Sequence, residues 1–419
     1  MTITVRDLHA VEILDSRARP TLAVTLTPVD GPPVRAGVPA GASTGTREAV
    51  ELRDGDPARY GGQGVLGAVG SVNGEIADAL RGRSFPDQAA VDQLLVELDG
   101  TETKSRLGAN AIVGVSMAAA RAAASAAGLP LWRTFAGSVG EPRLPVPHFN
   151  VVNGGVHAPN DLDFQEFMVA PLGAPTVAEA VRAGAEIYAA LRRNLAGKGF
   201  STGLGDEGGF APALTTPEEV LEFLLAAIGD AGYRAGRDGV ALAMDPASSE
   251  FYRGGSYHIA GQALSTADLV ERYVEIVERY PVWLLEDGLA ESDWEGWRVL
   301  TERLGERIEL VGDDIFCTNP TIIAEAISSG VGNACLIKVN QIGTVTEALT
   351  AMRTCREAGW AQFVSHRSGE TEDSFIADLA VGTGCGQMKT GAPARGERVA
   401  KYNRLIEIED TERLAYGLA

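Results

Sequence analysis

The second half of the chain carries a repeated pattern of short apolar segments that each end in a polar or charged residue. Helical patterns, such as those over 321–329 and 345–358, lie between the segments. Most segments follow one another at intervals of about 25 residues, a spacing typical of strands that alternate with helices. Continuous apolar strands of this kind indicate a parallel sheet that is covered on both faces. The six segments are 240–245, 282–286, 308–313, 334–338, 361–366 and 385–389.

This repetition favours a (β/α)8-type barrel, and thus an α/β fold, over residues 140–419. Catalytic groups in such barrels lie at the C-terminal ends of the strands, which is where the polar residues stand in every segment. A doubly wound sheet is the alternative. It is less favoured because no G-x-G-x-x-G motif follows an early strand.

Residues 1–135 show a different pattern, with strands first and helices afterwards. The segments 5–14 and 22–27 are strand-like, and Asp30-Gly31 marks a turn. A loop rich in glycine and serine follows over 38–45. Alanine-rich helical sequence then runs to the Gly128-Leu129-Pro130 stop. We therefore expect a smaller N-terminal α+β domain.

Composition and charge narrow the class of function. The chain has 419 residues, of which 45% are hydrophobic and 22% charged, and a formal net charge of −20. Such an acidic chain is a poor partner for nucleic acid or for an anionic membrane surface. The apolar stretch 111–132 is interrupted by Arg121 and predicts a buried helix rather than a membrane span. With no visible signal peptide and four cysteines lacking a C-x-x-C pair, we expect a cytoplasmic protein without a disulfide framework.

Three carboxylates end consecutive predicted strands: Asp245, Glu286 and Asp313. In a barrel they converge on one side of the mouth, where they repel one another unless a cation joins them. Hard oxygen donors without histidine or cysteine select Mg²⁺ over zinc. The alternative is that each is a solvated acid beside a helix N-terminus.

Basic residues end the later strands. Lys338 and Lys389 each close an apolar segment, so burial and a nearby metal ion should lower their pKa and make a neutral lysine available as a base. A structural ion pair with the carboxylates is the alternative. His366 is followed by Arg367 and Ser368, which suit a phosphate-like group.

Two polar loops complete the candidate chemistry. Glu207 lies in the glycine-rich turn 205–210, and Gln165-Glu166 follows the loop 153–157 closely. Read alone, both are weak signals, and a plain surface turn explains the first equally well. Together with a lysine base and clustered Mg²⁺, separate carboxylic acids suit abstraction of a proton next to a carboxylate, followed by loss of hydroxide.

Over nearly its whole length the sequence resembles the enolase family, and several of the matching motifs are long and nearly exclusive to it. The combination of a lysine base with Mg²⁺ is the established pattern of that superfamily. The matching segments are 13–17, 41–45, 205–212, Asp245 with 249–251, 286–287, 312–314, 338–343, 365–373 and 389–392.

The resemblance implies a barrel of modified strand order and a role for each candidate residue. Lys338 would remove the C2 proton, and Glu207, supported by Glu166, would act on the C3 hydroxyl. Two Mg²⁺ ions would bind per active site when substrate is bound. The first would be held by Asp245, Glu286 and Asp313, and the second by Ser43 on a mobile loop. Substrate contacts would come from His157, Gln165, His366, Arg367, Ser368 and Lys389, with Lys389 on the carboxylate and Arg367 and Ser368 on the phosphate.

The chain also departs from the family pattern. Ala18-Arg19 replaces the usual Gly-Asn, and Ala40 and Val156 replace serines near the expected phosphate end. Ala23 and Glu407 replace a glutamate and an arginine that pair across the family's dimer. A homo-oligomer is still implied, but without that ion pair.

Three functions are open at this point. The first is dehydration of 2-phosphoglycerate to phosphoenolpyruvate. The second is an enolase paralogue of phosphonate biosynthesis that dehydrates 2-phosphonoformylglycerate to carboxyphosphonoenolpyruvate, an alternative motivated by Ala40 and Val156. The third is a non-catalytic scaffold, which the intact set of candidate residues disfavours.

Overall fold

The N-terminal part of the chain folds as a four-stranded antiparallel sheet packed against helices, in a computed structural model that describes residues 2–418. The strand order is β3-β2-β1-β4. The strands are β1 (Ile3–Leu14), β2 (Pro20–Pro28), β3 (Val34–Gly37) and β4 (Ser84–Phe85). The helices are α1 (Leu66–Ser71), α2 (Ala77–Leu80), α3 (Gln88–Asp99), α4 (Ala109–Ala126) and α5 (Leu131–Phe135). The predicted helix over 111–132 is thus two helices, because Gly128 at φ +65° and Pro130 interrupt it.

The rest of the chain is built around a closed eight-stranded barrel, as the sequence pattern predicted. The order around the barrel is β6-β7-β8-β12-β13-β14-β15-β16. Because the sheet closes on itself, the doubly wound alternative is wrong. The strands of this part are β5 (Arg143–Leu144), β6 (Val146–Asn153), β7 (Glu166–Ala170), β8 (Ala241–Asp245), β9 (Tyr252–Arg253), β10 (Ser256–Ile259), β11 (Gln262–Leu264), β12 (Val282–Glu286), β13 (Glu309–Gly312), β14 (Ala334–Ile337), β15 (Ala361–Ser365), β16 (Gly386–Lys389) and β17 (Ala415–Tyr416).

One barrel strand runs against the others. β7 pairs antiparallel with both β6 and β8, whereas the remaining neighbours pair in parallel. The connection from β6 to β7 contains only a short helical turn, Gly155–His157, and a parallel pairing needs a longer crossover. The modified (β/α)8-type barrel that the family resemblance implied is therefore confirmed, but the modification lies in the direction of β7, whereas the order of the strands around the barrel is sequential.

Helices cover the outside of the barrel and alternate with its parallel strands. Several begin at residues that satisfy the free backbone N–H groups of the first turn, such as Thr216, which forms a capping box with Glu219 before α7. No helix within residues 2–418 is both long and apolar enough to cross a membrane. The helices are α6 (Val177–Gly197), α7 (Pro217–Asp230), α8 (Thr266–Arg279), α9 (Trp294–Leu304), α10 (Pro320–Ser329), α11 (Val339–Ile342), α12 (Val345–Glu357), α13 (Phe375–Thr383) and α14 (Gly396–Thr411).

The N-terminal domain packs on the C-terminal mouth of the barrel. Its apolar core continues into barrel residues such as Val345 and Phe375, which are 0% and 1% exposed. Nearby, the backbone of Ala40 exchanges two hydrogen bonds with Gly369, at 2.8 and 2.9 Å. This contact brings the glycine- and serine-rich loop 38–45 to the barrel mouth, where the candidate residues lie.

Candidate active site

The predicted chemistry-bearing residues lie together at the C-terminal mouth of the barrel. Asp245, Glu286 and Lys389 are the last residues of β8, β12 and β16. Asp313, Lys338 and His366 directly follow β13, β14 and β15. Parallel strands present their C-terminal ends on one face of a barrel, so a regular strand repeat is enough to bring these side chains together.

A small cavity opens among these residues. Glu286 and Asp313 do not line it, but each contacts a lysine that does. Three buried lining atoms, Gln165 Oε1, His157 Nδ1 and His366 Nε2, have no hydrogen-bond partner in the described part of the chain, as is typical of groups that bind a ligand. The lining residues are Ser43, His157, Gln165, Glu166, Glu207, Asp245, Lys338, Ser365, His366, Arg367, Ser368 and Lys389.

Glu166 reaches the cavity because β7 is reversed. It is the first residue of β7, and it pairs with Asp245 at the end of β8. In an antiparallel strand the first residue, not the last, lies at the catalytic face. The strand repeat therefore gave no signal for Glu166, which the sequence marked only weakly, as part of a polar loop, before the family resemblance gave it a role.

Lysine ammonium groups lie among the predicted metal-binding carboxylates. Lys389 Nζ lies 2.8 Å from Glu286 Oε1, 3.0 Å from Glu166 Oε2 and 3.8 Å from Asp245 Oδ2, while Lys338 Nζ contacts Asp313 directly. The carboxylate oxygens of Asp245, Glu286 and Asp313 do not all lie within 4.8 Å of one another. In residues 2–418 the sets that are so gathered are His157 with Glu166 and Glu207, and Asp287 with Asp313 and Asp314.

The carboxylate set nevertheless fits a magnesium ion. Asp245, Glu286 and Asp313 are 3%, 0% and 6% exposed, and all offer hard oxygen donors. Burial raises the pKa of Asp245 and Glu286 well above its ordinary value, and neighbouring carboxylates, Glu166 for Asp245 and Asp245 for Glu286, raise it further. A divalent cation would relieve this repulsion.

Comparison with known proteins identifies the family. Residues 5–135 match the enolase N-terminal domain, and residues 141–416 match the enolase C-terminal TIM barrel domain. A protein named enolase from Rubrobacter xylanophilus is 55% identical over 402 residues, which are 96% of this chain and 93% of that protein. The chain belongs to the enolase family. It is accordingly an enzyme of the carbon–oxygen hydro-lyase class, of the phosphopyruvate hydratase type.

In this enolase-family site, neighbouring carboxylates raise the pKa of Lys338 and Lys389. Burial alone lowers the pKa of Lys338, but the charge of Asp313 raises it above the ordinary value. Burial likewise opposes the charge of Lys389, yet Glu166, Glu286 and Asp245 raise its pKa well above normal. The predicted lowering depends on a bound metal ion as well as on burial, so it stays a prediction for both residues. A neutral Lys338 requires that Asp313 be drawn to another cation.

Two neighbouring acids of this site, Glu166 and Glu207, have pKa values shifted in opposite directions. Burial and the charge of Glu207 raise the pKa of Glu166 well above its ordinary value. Burial also opposes ionisation of Glu207, but His366, His157 and other groups around it hold its pKa well below normal. Burial lowers the pKa of His157 to about 4 and that of His366 to about 3, so both imidazoles are neutral at pH 7. Two neighbouring carboxylates with pKa values pushed apart can keep one proton available.

The guanidinium of Arg367 is held by protein acceptors. Its Nη1 donates to Glu48 at 3.0 Å and to Asn340 at 3.1 Å, and its Nη2 donates to Glu48 and to the Ser43 carbonyl, both at 3.1 Å. All four Nη hydrogens are thus engaged, and Nε–H remains. Gly41 allows the loop to approach, because a Cβ there would overlap the guanidinium.

Removing Glu48 should strongly destabilise the protein. Its side chain and that of Arg367 are 8% and 3% exposed, so Glu48→Ala leaves a buried cation without its main partner, at a cost of about 3–5 kcal/mol. The matched control is Glu51→Ala, which breaks the more exposed pair with Arg53 and should cost less than about 1 kcal/mol. Urea unfolding without substrate measures both. Equal losses in the two variants would contradict the buried-pair argument.

Two residues whose roles sequence reasoning missed, Asp287 and Gln341, support the site from behind. Asp287 accepts the backbone N–H groups of Asp313 and Asp314, at 2.8 and 2.9 Å, and so fixes the loop that carries Asp313. Gln341 donates to Asp313 at 2.7 Å and to Glu48 at 3.3 Å. Asp287 and Gln341 lie within the family motifs 286–287 and 338–343, so the sequence marked both residues. It did not indicate which groups they contact.

Proposed function

We propose that the chain catalyses the reversible dehydration of 2-phosphoglycerate to phosphoenolpyruvate through an enolate, with Mg²⁺ as cofactor. The observation that carries this proposal is one small cavity lined by Lys338, by the Glu166–Glu207 acid pair and by Arg367. A base, an acid and an anion-binding cation in one cavity are what elimination of water from a phosphorylated hydroxy acid requires.

Lys338 is proposed to take the proton from C2. Bound Mg²⁺ supplies the positive charge that makes this weakly acidic C–H bond ionisable. Asp245, Glu286 and Asp313 would hold the first ion and Ser43 the second. When Asp313 turns to an ion, Lys338 loses the partner that raises its pKa, and its amine becomes a base.

The acid pair is proposed to complete the elimination. The hydroxyl at C3 leaves as water only if it receives a proton. Glu207 would deliver that proton, and Glu166, whose pKa is raised, would hold it in reserve. His157 Nδ1 lies 3.7 Å from both glutamates and is positioned to contact the same hydroxyl.

The remaining cavity residues are proposed to bind the two anionic ends of the substrate. Lys389 would bind the carboxylate, and Arg367 and Ser368 the phosphate. Arg17 Nη1 donates to Ser368 Oγ at 3.3 Å, which leaves the serine hydroxyl hydrogen free for a phosphate oxygen. Gln165 and His366 would complete the pocket wall.

Magnesium should stabilise the protein through these carboxylates. At about 100 times its Kd, a ligand of the native state adds about 2.7 kcal/mol of stability, so Mg²⁺ should raise Tm by several degrees. Glu286→Gln should lose most of that shift and the turnover of 2-phosphoglycerate. The matched control is Glu309→Gln, a half-buried glutamate at the start of β13 that contacts Gln387. A full Mg²⁺ shift in Glu286→Gln would contradict the metal assignment.

Steady-state rates on 2-phosphoglycerate and 2-phosphonoformylglycerate test the substrate. We expect a large preference for 2-phosphoglycerate, and turnover of neither would favour the non-catalytic scaffold. The phosphonate alternative gains no support from the two substitutions that suggested it. Ala40 is 1% exposed within a backbone bridge, Val156 is 44% exposed, and neither lines the cavity.

A cytoplasmic homo-oligomer is proposed for the working form. Ala23 is 1% exposed within its own subunit, and Glu407 contacts Arg404 of its own helix at 3.5 Å. An interface between subunits would therefore use contacts other than the usual ion pair. Light scattering on the purified protein would give the subunit number.

A further inference from the structure

We propose that Arg398 is a positioning residue that fixes the ring proton of His366 on Nε2, so that His366 can only donate toward Glu207. The consequence for catalysis, that a transferable proton on Glu207 must lie on Oε1, rests on the proposed function. The assignment of the ring proton does not.

Arg398 is a fully buried arginine in the first turn of α14, 0% exposed. Its Nη1 lies 2.6 Å from His366 Nδ1 and donates to the Arg367 carbonyl at 2.6 Å. Its Nη2 donates to the carbonyls of Ser368 and Asp206, at 2.5 and 3.1 Å. Arg398 therefore joins the loop that follows β15 to the loop that carries Glu207.

The contact with His366 settles which ring nitrogen carries the proton. A guanidinium has only donors and stays charged, so His366 Nδ1 must accept from Arg398. In a neutral imidazole the other nitrogen, Nε2, then carries the hydrogen. Nε2 lies 3.2 Å from Glu207 Oε2, which is the partner available to this donor.

This arrangement gives the two oxygens of Glu207 different roles. Oε2 accepts from Asn150 Nδ2 at 2.9 Å and faces His366 Nε2, so it meets two donors. Oε1 lies 3.7 Å from His157 Nδ1, which also lies 3.7 Å from Glu166 Oε1. A proton on Glu207 is therefore accommodated on Oε1, the oxygen on the side of Glu166. Nδ1 of His366 faces the permanently charged Arg398, so this ring nitrogen cannot take up a catalytic proton, whereas Nε2 makes no hydrogen bond within residues 2–418 and faces Glu207.

The chain offers a matched control at Arg395. This arginine shares one partner with Arg398, the Asp206 carbonyl at 3.1 Å, and also donates to the Ser16 carbonyl at 2.7 Å, but it makes no contact with His366. Arg395→Met thus removes loop contacts similar to those removed by Arg398→Met and leaves the ring untouched. Arg398→Lys is the conservative variant, because a lysine ammonium also can only donate.

Nitrogen-15 NMR of ¹⁵N-histidine-labelled protein, without substrate, reads the ring proton directly. The five histidines are few enough to resolve, and His366→Asn assigns the signal. We expect a protonated Nε2 and a bare Nδ1 for His366 in the wild type, in Arg398→Lys and in Arg395→Met. Arg398→Met should populate the other tautomer. Wild-type protein with the hydrogen on Nδ1 would overturn the proposal, even if Arg398→Met failed to fold.

Kinetics test the catalytic consequence. In Arg398→Met, dehydration of 2-phosphoglycerate should fall at least tenfold more than C2 proton exchange, and Arg398→Lys should restore the balance. Equal falls of the two rates, as expected for Arg395→Met, would overturn the link to Glu207. If the wild type turned over no 2-phosphoglycerate, the proposed function would fail while the NMR result still decided the tautomer.

Discussion

Replacing Lys338 with alanine should lower the rate of C2 proton exchange on 2-phosphoglycerate by about 10²- to 10⁴-fold, the typical contribution of a positioned base. Lys338 lines the cavity, is 9% exposed, and contacts a carboxylate that is proposed to bind metal. No other lining residue combines an amine with a single carboxylate partner, since Lys389 contacts three. The measurement is exchange of the C2 hydrogen with deuterated water in the presence of Mg²⁺.

The matched control for this substitution is Lys104→Ala. Lys104 is also buried, 3% exposed, and pairs with one acid, Glu347, at 2.9 Å, but it does not line the cavity. Its loss should reduce stability while the folded protein keeps its exchange rate. Rapid exchange in Lys338→Ala would refute the role assigned to Lys338 and move attention to Lys389.

The part of the site built on parallel strands could be predicted from the sequence. A polar residue at the end of each buried strand must lie at the barrel mouth, whatever the details of packing. That single rule placed Asp245, Glu286 and Lys389 correctly before any contact was known. The rule requires only that strands recur at regular intervals and that the sheet closes. Both can be inferred from the repeated apolar segments, without knowledge of any side-chain contact.

The reversed strand and the pKa of the lysines could not be predicted in this way. β6 and β7 pair through a short connection, and nothing in the apolar pattern of β7 shows its direction. The pKa of Lys338 depends on its contact with Asp313, and such pairing between distant segments is not contained in either segment alone. The burial of the lysine was predictable, but the balance between burial and its carboxylate partner was not.

The same limit applies to the residues that support the site. Arg398 and His366 lie on different elements, and so do Glu48 and Arg367. A buried arginine in a helix is unexpected from residue preferences, which place arginine at the surface. In the folded chain the position is favourable, because every contact of its Nη groups is with an acceptor that the neighbouring loops leave free.

Replacing Glu207 with glutamine should separate the two halves of the reaction. The amide oxygen can still accept from Asn150 and His366, so the pocket keeps its shape, but the side chain can no longer deliver a proton. Dehydration should therefore fall by about 10²- to 10⁴-fold, whereas C2 exchange, which precedes departure of the hydroxide, should persist. Rates of phosphoenolpyruvate formation and of deuterium exchange are measured on the same sample.

Asp206→Asn is the matched control for Glu207→Gln, because it is the neighbouring acid and contacts both Arg395 and Arg398 only through its backbone carbonyl. Its two rates should stay close to those of the wild type, since its side chain does not line the cavity. If Glu207→Gln lost exchange and dehydration together, Glu207 would be acting before the hydroxide leaves. The acid role would then pass to Glu166, which lines the same cavity and whose pKa burial and the charge of Glu207 raise well above its ordinary value.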